Sequence, residues 1–118
     1  MSTSRLSVAG DPALALVVRI FVGSVTEQWQ LSEPLRDDLR LAASELFSGA
    51  VEAGNGDPVR FELSTDEGGL ELRAEDVPVA DEGADLEGWT GRFALIRALF
   101  PDADVSDTSV RIRVPRTD

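Results

Sequence analysis

The sequence of 118 residues contains no cysteine, no histidine and no lysine. Without cysteine there is no disulfide, no thiolate nucleophile and no Cys-ligated metal. Without histidine the commonest general base and the commonest transition-metal ligand are missing, and phospho-histidine chemistry is excluded. All 11 basic residues are arginine, so an ammonium grip on phosphate and Schiff-base chemistry are also excluded. No apolar run approaches the ~18 residues that cross a bilayer, and the first residues lack the basic and apolar regions of a signal peptide. These absences lead to the expectation of one cytoplasmic domain over residues 1–118. Basic charge is scarce as well: 22 acids against 11 bases leave a net charge of −11. Such a surface is unsuited to neutralising nucleic-acid phosphates. It would steer a basic protein partner toward itself, though acidity also serves solubility alone.

What the chain does contain is a hydrophobic pattern whose period changes along its length. Leu6 and Val8 alternate with polar neighbours in RLSVAG (5–10), which predicts a short strand. Asp11-Pro12 offers an N-cap followed by proline at the first helical position. Leu14, Val17, Val18, Phe21, Val25 and Trp29 then recur at helical spacing, and Leu16 and Ile20 widen the stripe. This first helix is expected to end near Gln30. Ser32-Glu33-Pro34 opens a second, with Leu35, Leu39, Ala42, Ala43, Leu46, Phe47 and Ala50 as its buried face, and Gly54-Asn55-Gly56 stops it.

PVRFELS (58–64) and LELRA (70–74) switch to strand period on either side of Asp66-Glu67-Gly68-Gly69, which reads as a hairpin. Residues 75–88 form a predicted loop with six carboxylates and no base. A third helix is expected from about Trp89 to Phe100, where Pro101 ends it, and VRIRV (110–114) gives a last strand. Every strand is apolar on one face and charged on the other. Glu62, Glu71, Arg73, Arg111 and Arg113 could therefore pair on a solvent-facing surface. A sheet wet on one side and covered by helices on the other is a two-layer α/β sandwich.

SELFSGA (44–50) sets Glu45 four residues before Gly49 inside the second helix, so both lie on one face. A helix-interior glycine costs about 1 kcal/mol relative to alanine. LRLAASELFSGAVEAG (39–54), GRFALIRALF (91–100) and DTSVRIRVP (107–115), taken in order, resemble the anti-sigma-factor serine kinases of bacterial partner-switching systems. Those kinases share an ATPase superfamily with sensor histidine kinases, gyrase and a heat-shock chaperone. The likeness runs from about Leu6 to Pro115 and implies the histidine-kinase-like ATPase fold, a mixed β-sheet with helices on one face.

The resemblance also assigns roles. Glu45 stands where the family has its general base, and Gly49 stands where an asparagine holds Mg²⁺. The family follows its second hairpin strand with Asp-x-Gly-x-Gly, the Asp bonding adenine; here the stretch reads Glu75-Asp76-Val77-Pro78-Val79. Val77 and Val79 replace glycines that admit the nucleotide, and valine rarely adopts positive φ. In the lid only Gly91 remains, one residue out of register, with Arg92 where glycine is usual; Thr108 is kept behind Asp107.

Each position has a plain structural reading beside the functional one. Glu45 can be a solvated helix-face acid, and Gly49 can allow a neighbouring element to pack closely. Val77-Pro78-Val79 can be an apolar plug, Arg92 an exposed arginine rather than an anion contact, and Trp29 and Trp89 packing residues. The reading adopted is a regulatory protein deficient in ATP binding and catalysis, with Glu45 a vestigial base and no cofactor expected. It would act by binding a sigma factor or an anti-sigma antagonist. The alternatives are an active ATP- and Mg²⁺-dependent serine kinase, and an unrelated α/β dimerisation module. The wide stripe of the first helix leads to a further expectation: this helix and the first strand meet a protein partner or a second copy. Val77 or Val79 is expected to narrow the space near Glu45.

Overall fold

Asp11 starts the helical layer as its composition suggests. Its carboxylate accepts from the Ala13 amide at 3.0 Å, and Pro12–Leu14 forms a single 3₁₀ turn. That turn leads into α1 (Ala15–Gln28), and a short connection leads to α2 (Glu33–Ala53). The strands are β1 (Ser2–Val8), β2 (Val59–Asp66), β3 (Gly69–Glu75), β4 (Asp104–Val105) and β5 (Ser109–Pro115). Residues 94–99 are helical. The computed structural model describes residues 2–53, 56–75, 94–105 and 109–115. The expected helix stop at Gly54-Asn55, the acidic stretch after Glu75 and the start of the third helix lie outside them.

The strands join in the order β1-β2-β3-β5-β4. Where the resemblance implies a mixed sheet, each pairing among the described strands is antiparallel. The connection between β1 and β2 explains the first of these pairings. α1 and α2 run antiparallel, since Gly23 lies against Arg40 and Glu27 against Arg36. Two helical passes return the chain to the far end of β1, so β2 must run back along it. The two remaining central pairings follow from the β2–β3 hairpin and from β5 returning beside β3.

One side of the sheet carries the core. Val59, Phe61 and Leu63 of β2, Leu70, Leu72 and Ala74 of β3, and Val110 and Ile112 of β5 are buried. They meet Val18, Val22 and Val25 of α1 and Leu39, Ala42, Ala43, Leu46, Phe47 and Ala50 of α2. Ile96 and Phe100 complete the cluster from the third helical stretch and its end. The other side of the sheet is an ionic ladder: Arg5 with Glu62, Arg60 with Glu75, Arg111 with Glu71 and Arg113 with Asp66, each within 3.2 Å. The alternation of apolar and charged residues thus becomes two faces, one dry and one wet.

Two features fall outside the periodic pattern. β1 begins at Ser2 rather than Arg5, because its pairing with β2 runs on to Ser2↔Thr65. β4 adds a two-residue edge beside β5. Among the described residues, no helix is long and apolar enough to cross a membrane.

Candidate functional site

The site begins on α2. Its inner face is fixed by Leu39, Ala42, Ala43, Leu46, Phe47 and Ala50, which seat the helix on the sheet. Glu45 and Gly49 occupy the adjoining strip, about 6 Å apart along the axis at 1.5 Å per residue. Glu45 is half-buried, and Gly49 is buried. Glu45 has a polar or electrostatic interaction and is not a free carboxylate. Gly49 presents backbone only at this turn.

Glu75 closes β3 in register with Ser109 at the start of β5. Along β3 the residues Leu70, Leu72 and Ala74 point into the core, so Glu75 belongs to the opposite face with Glu71 and Arg73. Its two oxygens are engaged there. Arg60 Nη2 lies 3.2 Å from Oε2, and Arg73 Nε lies 3.0 Å from Oε1. The Arg73 contact is an ion pair without hydrogen-bond alignment, because Arg73 Nε has no hydrogen-bond partner. The acid that the resemblance sets against adenine is thus held by arginines on the open face of the sheet. Of the other residues singled out, Val77, Val79, Gly91, Arg92 and Thr108 lie outside the described residues.

Another carboxylate is held by several donors, at the tip of the β2–β3 hairpin. Asp66 accepts from the Gly68 amide at 2.7 Å and the Gly69 amide at 3.0 Å, and Arg113 Nη2 reaches it at 3.2–3.3 Å. These donors favour the ionised form, the Gly68 amide most and Arg113 next, so its pKa lies below the ordinary value. This is a turn lock rather than chemistry: each donor is internal and the carboxylate is fully committed.

A feature that periodicity does not announce is an open groove of about 560 Å³ between α1 and α2. Leu16, Ile20 and Leu41 give it an apolar wall, and Arg19, Glu27 and Asp37 stand at its rim. Leu16, Ile20 and Leu41 are 59%, 56% and 41% exposed, so the first helix does carry apolar surface beyond its core face. The signal for it in the sequence was the pair Leu16 and Ile20 lying beside the Val18–Val22–Val25 stripe.

A family model for the histidine kinase-like ATPase domain matches residues 8–89. No curated protein matches the sequence. The matched segment holds α1, α2, β2 and β3, and with them Glu45, Gly49, Glu75, Val77 and Val79. Covering well over half of the 118 residues, and on a sheet with helices packed against one face, the match establishes that the chain belongs to the histidine kinase-like ATPase domain family.

Proposed function

We propose that this protein is a regulatory relative of the anti-sigma-factor serine kinases, deficient in ATP binding and catalysis. It works by binding a protein, a sigma factor or its antagonist, in bacterial transcription control. The observation that carries the reading is the turn Glu45–Gly49 of α2. Glu45 stands there at the family's general-base position as a vestigial base, while a buried glycine stands where the family has its metal-holding asparagine. Mg²⁺ demands oxygen ligands in near-octahedral order, and a glycine has no side-chain oxygen to give. The donor set at that turn does not fit the ion.

Two further points support the reading. The Glu75 carboxylate is occupied by Arg60 and Arg73 on the open face. The stretch 75–88 also carries six carboxylates and no base, which repels a polyanionic nucleotide at short range. Calorimetry of the purified chain with ATP and with ADP, each with Mg²⁺, tests the proposal. No heat of binding is expected up to millimolar nucleotide. Saturable micromolar binding would overturn the deficiency and favour an active kinase.

A further inference from the structure

One end of the groove between α1 and α2 has a cationic floor and an acidic rim. Arg36 and Arg40 lie low in it, their side chains 21% and 34% exposed. The acids beside them, Glu27 and Asp37, are 72% and 59% exposed and stand in solvent, where their charge is screened. Asp37 is bonded to Arg40. Arg36 has no such bond. Its Nε is buried without a partner, and its Nη2 lies 3.7 Å from Glu27 Oε2, beyond hydrogen-bond reach. A guanidinium taken out of water with donors unused destabilises the site, and an anion that reaches it offsets that loss.

Toward the other end the lining turns apolar. Ile20 and then Leu16 follow along α1, Leu41 lines the groove from α2, and Arg19 stands exposed beside them. From the level of Glu27 to that of Leu16 is about 17 Å along the helix, at 1.5 Å per residue. The volume of about 560 Å³ lies within the few hundred to about a thousand Å³ usual for small-molecule sites. Three arginines against two acids also make the lining a net positive spot on a chain of charge −11. The groove thus matches a small anion that carries a long apolar chain.

We propose that this groove binds a free amphiphilic monocarboxylate of the fatty-acid class. The carboxylate accepts hydrogen bonds from the Arg36 guanidinium, and the hydrocarbon chain lies over Ile20, Leu41 and Leu16. A planar carboxylate matches the guanidinium fork. A phosphate head, with its second charge, meets more repulsion from Glu27 and Asp37. Neither Glu45 nor Gly49 is in the lining, so the site is independent of nucleotide deficiency.

The experiment is equilibrium dialysis of the full chain against labelled dodecanoate, kept below its micelle-forming concentration. One saturable site in the micromolar range is expected. Three further probes assign head and tail: dodecanol lacks the charge, acetate lacks the chain, and dodecyl phosphate carries the other head. Each should bind about tenfold or more weakly. Arg36→Gln should weaken dodecanoate binding about tenfold or more and leave dodecanol binding as it was. Ile20→Glu should weaken both while keeping the parent circular-dichroism spectrum and melting profile, because the residue is exposed. Arg19→Gln should weaken dodecanoate binding less than Arg36→Gln does. Should Arg36→Gln fail to fold, the comparison of dodecanol with dodecanoate on the parent decides. A parent that takes up no dodecanoate saturably overturns the proposal and leaves the groove to a protein helix. Dodecanol as tight as dodecanoate, dodecyl phosphate tighter than it, or a folded Arg36→Gln of parental affinity overturns it equally.

Discussion

Asp66 accepts from two backbone amides of its own turn and from an arginine of another strand. The side chain bridges from the end of β2 to the Gly68 and Gly69 amides and across to Arg113 of β5. It thereby ties the hairpin tip to a strand more than forty residues later. A Cβ at Gly68 would stand 3.0 Å from Arg113 Nη2 and 3.2 Å from Asp66 Oδ1, so a larger residue there would push both side-chain ends aside. The donors hold the folded-state pKa below the unfolded value of 3.8. Between the two values the unfolded chain binds more protons, so stability rises with pH in that window. Asp66 accordingly contributes its full share above about 3.8, and loses it as the pH falls through the lower folded value. Urea unfolding of the parent and of Asp66→Asn should differ near neutrality and converge in strong acid. The side chain is 47% exposed, so solvent screening keeps the difference small; a difference unchanged by acid would refute the assignment.

Helix α1 shows how an element's end can depend on a residue with no obvious signature. Gln30 has φ of 58°, the left-handed region that glycine ordinarily fills. Its amide donates to the Glu27 carbonyl at 3.0 Å, and the Leu31 amide donates to the Thr26 carbonyl at 3.3 Å. This is the Schellman arrangement, and it satisfies carbonyls that the helix end would leave bare. Gln30→Gly should stabilise the fold by about 1 kcal/mol, because a side chain in this conformation costs that much. A shift of the urea midpoint in the destabilising direction would contradict it.

Nothing in Gln30 announces that role, whereas Asp11-Pro12 announces the helix start plainly. The same contrast runs through the other elements. Leu39, Ala42, Ala43, Leu46, Phe47 and Ala50 recur at helical spacing and are all buried, as are the inward residues of β2, β3 and β5. Ser2, Thr3 and Ser4 carry no hydrophobic period, so the first half of β1 is silent in the sequence. Asp104–Val105 is too short to show one. Leu16 and Ile20 were legible as apolar, but periodicity cannot separate a core face from an exposed one. For the site, Glu45 and Gly49 read as one face of α2. The outward face of Glu75 could also have been read, from Leu70, Leu72 and Ala74 pointing the other way. What it meets there, Arg60 and Arg73, needed the register of β2 against β3.

Over the whole molecule the acid excess is unevenly placed. The open face of the sheet sets Arg5, Arg60, Arg73, Arg111 and Arg113 against Glu62, Asp66, Glu71 and Glu75, and its charge nearly cancels. Most of the net charge of −11 therefore lies off that face, with six carboxylates in residues 75–88 alone. On the proposed reading, nucleotide binding is lost through several independent parts: the metal ligand, the space kept by hinge glycines, the adenine contact and the sign of the local charge. Independent losses are not reversed one at a time. Gly49→Asn restores a metal oxygen but leaves Val77, Val79, the engaged Glu75 and the acidic stretch untouched. It should give no Mg²⁺-dependent phosphorylation of a partner and no measurable heat with ATP. Gly49→Asn combined with Val77→Gly and Val79→Gly restores both the ligand and the backbone freedom at the hinge. That triple variant should bind ATP more tightly than any of the three single variants, measured by calorimetry at low ionic strength and again in salt. Salt should help rather than hinder, since screening relieves repulsion between the carboxylates and the phosphates. If Gly49→Asn alone turns over ATP, the loop is no barrier, and the chain is a kinase lacking only its metal ligand.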